Sequence, residues 1–235
     1  MHKGTLKSPQ KASQSSWIAA TARLRKLRPV PRRFYDRSPE LVAPELLGKV
    51  LIRRQGRKLL AGRIVEVEAY LGQSDPASHA FRGPTDRNRV MFGPPGFAYV
   101  YFTYGMHYCV NATCLEEGTA GAVLIRAIEP LAGIDEMAMN RDLNPSLDIG
   151  LAGGLKALTS GPARLCEALG ITRTHDDGKD LTSSNSDLWI ASDRSRVGKI
   201  AHGPRVGITQ AADWPLRFYL VGSPFVSGPK TKAKM

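Results

Sequence analysis

Residues 62–72 read GRIVEVEAYLG. Alternation makes this a β-strand, with Val65, Val67, Ala69 and Leu71 on one face and Ile64, Glu66, Glu68 and Tyr70 on the other. A strand packed on a core wants apolar residues facing it, yet this one sets two carboxylates on the face that ends in an aromatic ring. Working backwards, KVLIRRQGRKLLAGRIVEVEAY (49–70) reads as a hairpin turning at Gln55-Gly56, so the strand is one half of an antiparallel pair. Before it, Ser38 is an N-cap, Pro39 the first helical residue, Glu40 a first-turn acid and Gly48 the stop of a short helix.

Working forwards, LGQSDPASHAFRGPTDRNRVMFGPPG (71–96) lacks periodicity and is rich in Gly and Pro. A loop of that length inside a compact domain is usually functional or disordered. FAYVYFTYGMHYCVNATCL (97–115) predicts two aromatic-rich strands around a tight turn at Tyr104-Gly105. AGAVLIRAIEP (120–130) predicts a buried strand leading into a helix from Pro130 to about Arg141. Residues 142–159 read as loop, and SGPARLCEALG predicts a capped helix from Ser160 to Gly170. DLWIAS, PRVGIT and LRFYLVGS supply late strands. Hairpins mixed with helices, without regular βαβ alternation, predict one compact α+β domain over residues 34–228. Its sheet is expected to be curved and mostly antiparallel, flanked by helices, with a protruding β-hairpin.

Charge is unevenly distributed along the 235 residues. Of 33 Lys and Arg, nine lie in residues 1–33 with no acid among them; 24 then face 21 acids, so the net charge of +12 leaves only +3 on the rest. Residues 1–33 are expected to be a disordered basic arm, with ordered structure beginning at Ser38. Such an arm on a nearly balanced body fits a polyanion partner, since each neutralised phosphate releases counterions; a solvated disordered tail that aids solubility is the plainer alternative. Residues 229–235 form a short basic tail. An apolar content of 42% fits a globular protein, and no apolar run approaches the roughly 18 residues of a membrane span. Cys109, Cys114 and Cys166 do not make a disulfide framework, so a reducing compartment is expected, bacterial cytoplasm or eukaryotic nucleus. His107, Cys109 and Cys114 lack a second Cys/His pair at zinc spacing, so neither metal nor cofactor is expected.

Burying Glu66 and Glu68 ionised, about 7 Å apart on one strand face, costs several kcal/mol without partners. An exposed or salt-bridged face, with Arg63 or Lys58 as partner, is the ordinary reading. Tyr70, the nearby His79 and the Arg-rich DRNR favour instead a site for a flat cationic ring. Tyr99 and Tyr101 share a strand face and suit core packing. Tyr104, at a hairpin tip, suits insertion between stacked bases.

These segments carry a resemblance. RIVEVEAYLG, SHA, RNRVMF, YVYFTYGMHYCVN, LIRAIEPL, LTSGPARLC, RVGI and PLRFYLVGSPFVS resemble the alkyladenine (3-methyladenine, N-methylpurine) DNA glycosylase family from about residue 36 to residue 227. The resemblance implies a monofunctional base-excision repair hydrolase that flips damaged purines out of duplex DNA and works as a monomer. It implies that Glu68 activates the attacking water, with Arg126 and the Val206 carbonyl holding that water. Glu66 is left as a supporting or surface carboxylate. Tyr70, His79 and Tyr101, with Ala69 beside them, match the box around the flipped base. Asn111 matches a residue at the purine edge, and Tyr104 the wedge that fills the gap in the duplex. The loop between His79 and Met91 is about one residue shorter than the family pattern, which bears on the contacts of Thr85 and Met91. A non-enzymatic DNA-binding protein and a hydrolase of free nucleosides using Glu66 and Glu68 are the competing readings.

Overall fold

In the computed structural model the described residues are 21–145, 147–149 and 153–228. Two long hairpins build the sheet. β1 (Val50–Gln55) pairs with the first half of β2 (Lys58–Tyr70), and β3 (Ala98–Thr103) pairs with β4 (His107–Thr113). β5 (Ala122–Ala132) joins them, lying antiparallel between β4 and β2. β6 (Leu188–Ala191) extends the edge beyond β1. Where β1 ends its pairing with β2, β8 (Arg217–Leu220) takes over along Glu66–Glu68 and carries β7 (Ile200–Gly203). The described residues thus form one eight-stranded antiparallel sheet in the order β3-β4-β5-β2-β1-β6, with β8 and β7 branching from β2. Helices Pro39–Leu46 and Pro162–Ala168 pack their apolar sides on it, burying Val42, Leu46, Leu165 and Cys166. No helix among the described residues is long and apolar enough to cross a membrane.

The sheet bends at β2. Its ladder with β5 slips between Ile64 and Glu66 and again between Glu66 and Val67. A bulge adds an unpaired residue and resets the two-residue phase. Ile64 therefore does not share a face with the carboxylates, as simple alternation has it. It joins Val67 and Ala69 in the main core, while Val65 packs with Ala127 and Phe225 in a separate cluster. The bulge lets one strand bury apolar groups on both sides and still turn Glu66 and Glu68 toward partners on β5 and β8.

Four local expectations are corrected. Pro130 lies inside β5 opposite Gly62, where the ladder shifts, and a proline without an N–H is tolerated at such a break. The helix expected from Pro130 starts only at Ile134, after Gly133 at φ 73°. Residues 142–159, read as loop, include the helix Gly154–Thr159. The next helix runs Pro162–Ala168 with Gly161 at its N-cap, because Ser160 is drawn into a bridge with Ala127. PRVGIT is not a strand: β7 lies just before it, and the Val206 N–H goes to a side chain instead of a ladder.

Ordered structure begins before Ser38. Residues 21–25 are helical, Leu24 packs with Val50, Ile52, Leu59 and Trp189, and the Val30 N–H donates to Ile190. Arg23, Arg25, Lys26, Arg28 and Arg33 stay exposed along this segment. The rest of the basic arm, residues 1–20, and the tail at 229–235 lie outside the described residues.

Candidate active site

The long loop after β2 is ordered by side chains that replace a ladder. The Asp75 carboxylate accepts from the Leu71 and Ala77 N–H groups at 3.1 and 3.0 Å. The Asn88 amide donates to the carbonyls of His79 and Gly83 at 2.8 and 3.0 Å, and its oxygen accepts from the Thr85 N–H. Buried backbone groups must find partners somewhere, and here short polar side chains supply them. Gly72 has φ 68°, and a Cβ there would fall 1.9 Å from the Ala120 carbonyl oxygen, so only glycine lets the loop leave β2 this way.

Loop and β3–β4 hairpin together wall a pocket of about 620 Å³, open mouth included. Tyr70, His79, Tyr101 and Asn111 line it, Met91 closes one side and Tyr104 stands at the rim. His79 meets the Tyr101 ring edge-on with centroids 4.5 Å apart, and its Nδ1 lies 2.9 Å from the Tyr99 hydroxyl. Burial, helped by the Arg87 cation, lowers the pKa of His79, so the ring is neutral at pH 7. The Asn111 amide nitrogen donates to the Tyr99 carbonyl at 3.0 Å, which orients that side chain. Thr85 is not among the lining residues, and Ala69 packs in the core beneath the strand.

Tyr70 links this pocket to the carboxylates. Its hydroxyl donates to Glu68 Oε2 at 3.0 Å. Glu68 Oε1 accepts the Val206 N–H at 2.7 Å and lies 3.2 Å from Arg126 Nη1. Glu68 is fully shielded from solvent. Burial pushes its carboxyl pKa above the ordinary value, although Arg126, the Val206 N–H and the Tyr70 hydroxyl all pull the other way. Burial likewise opposes the Arg126 cation, but the two carboxylates overcome it and raise its pKa. Val206 contacts Glu68 through its N–H, a contact distinct from the carbonyl role that the family resemblance implies.

Glu66 is buried, not at the surface, and neither Arg63 nor Lys58 is its partner: Arg63 pairs with Asp193 and Lys58 with Glu136. Glu66 lies between Arg126 and Arg217. Behind Tyr70, the Arg205 guanidinium stacks 4.6 Å from the ring centre and holds Asp75 at 2.5 and 2.8 Å. Sequence patterns point to none of Asp75, Arg205 or Arg217, and to Tyr99 only as core packing; each acts through a partner at least 20 residues away. For Tyr99 the only sequence signal is the face shared with Tyr101.

Outside the pocket, Tyr104 is 83% exposed at φ 51°, with Met106 and Phe102 exposed beside it. His107 contacts Glu167, and Cys114 and Cys166 are buried in the core. Among the described residues no cluster of three His, Cys, Asp or Glu could hold a metal ion.

Residues 33–224 match the family model described as methylpurine-DNA glycosylase. A Koribacter versatilis protein named "Putative 3-methyladenine DNA glycosylase" is 54% identical over 207 residues, covering 88% of this chain and 97% of its own. Proteins of the same name from Burkholderia lata and Methanoculleus marisnigri are 48% and 46% identical, covering 86% and 84% of this chain and 93% and 98% of theirs. Matches of this identity along nearly the whole length of several relatives leave one conclusion: the chain belongs to the methylpurine-DNA glycosylase family.

Proposed function

We propose that this enzyme, a hydrolase of N-glycosyl bonds by family, flips alkylated or otherwise damaged purines out of duplex DNA and cleaves them with a water activated by Glu68. The observation that carries the reading is Glu68 itself, a solvent-shielded carboxylate hydrogen-bonded to Tyr70, which lines the aromatic pocket. Substrates are 3-methyladenine, 7-methylguanine and hypoxanthine in double-stranded DNA, and the protein acts as a monomer.

Flipping a nucleotide costs a few kcal/mol, least for a damaged base. A ring stacked in its place returns roughly 1–3 kcal/mol, and the exposed Tyr104 is available for that. Methylation at N3 or N7 makes the purine cationic. Desolvated aromatic faces bind a cation with about 2 kcal/mol, so Tyr70 and Tyr101 favour the lesion over a neutral base. Asn111 spends one amide hydrogen on the Tyr99 carbonyl. Its second N–H would meet the exocyclic amine of guanine donor to donor, which rejects the normal base by leaving polar groups unsatisfied.

Departure of the base leaves positive charge on the sugar. A carboxylate that is ionised polarises water and faces that charge. At about 4 Å and an effective dielectric near 20 the attraction is on the order of 4 kcal/mol. Arg126 and the Val206 N–H both contact Glu68, which supports giving Arg126 and the Val206 carbonyl the task of holding the water. No lysine is among the described residues that line the pocket, and the proposed reaction runs by direct hydrolysis, without a Schiff base, to leave an abasic site.

Release of 3-methyladenine and hypoxanthine from duplex DNA by wild type and Glu68→Gln, side by side, tests this reading. Retained lesion binding with excision reduced at least a hundredfold is expected. Undiminished excision by Glu68→Gln removes the catalytic proposal, and a borohydride-trapped DNA adduct removes the direct-hydrolysis step.

A further inference from the structure

The two carboxylates of β2 are joined by one cation. Glu66 Oε1 accepts from Arg217 Nε at 2.7 Å and from Arg126 Nε at 3.1 Å, while Oε2 accepts the Ser227 N–H at 2.6 Å. The same Arg126 then turns Nη1 toward Glu68 Oε1, 3.2 Å away. A guanidinium is planar and presents its donors in a fixed fork. Anchoring Nε at Glu66 therefore decides where Nη1 points. Arg217, itself bonded to the Ser227 carbonyl at 2.7 Å, ties Glu66 to the chain leaving β8.

We propose that Glu66 is a positioning residue for the reaction: it aims Arg126 at Glu68 and takes a share of that cation's charge away from Glu68. The inference rests on Glu68 as the activating base. It answers why a strand should bury two acids so close together: the second acid keeps the first from being quenched by its own ion pair. A Glu68 paired with Arg126 alone would be a weaker base toward water.

The charged and titratable groups around Glu68 are Glu66 and Tyr70 on β2, Arg126 on β5, Cys109 on β4, and Arg217 on β8, which holds Glu66. Arg205 adds a cation behind Tyr70, already neutralised by Asp75. Among the groups that act on Glu68 directly, Glu66 supplies negative charge, and that charge raises the proton affinity of Glu68. Removing it has a definite sign. With Arg126 still paired to Glu68, the carboxyl then ionises at lower pH, while the amide of Glu66→Gln can accept from Arg126 Nε but no longer shares its charge.

The experiment is the pH–rate profile of single-turnover 3-methyladenine excision by Glu66→Gln. The acid limb is expected to move to lower pH by on the order of one unit, and the plateau rate to fall about tenfold or more, with lesion-DNA affinity changed less than threefold. Arg217→Gln leaves Glu66 free to draw Arg126 harder and should move the acid limb the other way. Because a buried pair broken on one side can unfold a protein, the double variant Glu66→Gln/Arg217→Met removes both charges together and is expected to show the same downward shift. An unmoved or raised acid limb in a folded Glu66→Gln or double variant overturns the proposal. If Glu68→Gln is inactive while that limb stays fixed, only the role of Glu66 fails; if Glu68→Gln is active, the base itself was misassigned.

Discussion

At the scale of single residues, Glu68 and Tyr104 mark opposite extremes, one wholly buried and one almost wholly exposed. Burial raises the Glu68 pKa above the ordinary 4.5, more than Arg126 lowers it. Activity that needs the ionised form is lost as pH falls through that raised value, so the acid limb of wild-type excision should lie above pH 4.5. The same sign makes ionised Glu68 a cost to the fold at neutral pH, since the native state binds that proton more tightly than the unfolded chain. Glu68→Gln, which cannot ionise, should melt no lower than wild type at pH 7. Tyr104 sits at φ 51°, in the region that favours glycine. Tyr104→Gly should leave thermal stability unchanged or slightly higher and still slow excision by about 10- to 100-fold, the stacking it forfeits being roughly 1–3 kcal/mol. A variant that melts lower and excises normally contradicts the wedge assignment.

Among elements, the loop 71–96 is where sequence patterns ran out. Nothing in its spacing shows that Asp75 reaches across to Arg205, because the pair exists only once β2 and the segment after β7 lie side by side. Arg205 also donates to the Ala69 carbonyl and stacks on Tyr70, and its neighbour Val206 holds Glu68. The pair thus couples the pocket wall to the carboxylate. Asp75→Ala would strand a fully buried guanidinium, which costs about 3–5 kcal/mol; urea unfolding should show that loss together with weaker excision. The hairpins were legible by contrast. Alternation and a Gly-containing turn define β1–β2 and β3–β4 locally, and both formed as read. Glu68, Tyr70, His79, Tyr101 and Asn111 were named through motif resemblance, and the fold brings them to one pocket or, for Glu68, directly behind it.

Across the whole molecule, charge and packing divide the basic arm differently. By composition residues 1–33 are one block, yet 21–33 are seated on the sheet edge through Leu24, Leu27 and Val30. Leu24→Ala should therefore destabilise the protein by about 2–3 kcal/mol, read as a lowered melting temperature with excision at 25 °C intact. A shortened chain starting at residue 34 should melt lower still; equal melting would mean that this packing contributes nothing. The exposed cations on the same segment then sit on a fixed surface, where each phosphate they neutralise adds about 0.9 to the salt slope of DNA binding.

The amino-acid sequence by itself determined the two hairpins, the capped helix before them, the antiparallel α+β class and the burden of acid on one strand. These depend on contacts between near neighbours, on side-chain alternation and on turn residues. Only the tertiary structure decided how that burden is carried. Ion pairs between Glu66, Arg126 and Arg217, the Arg205–Asp75 clamp and the bulge that turns β2 all join residues 58 to 151 positions apart. Their strength comes from exclusion of water, and water is excluded only when the sheet has closed around them.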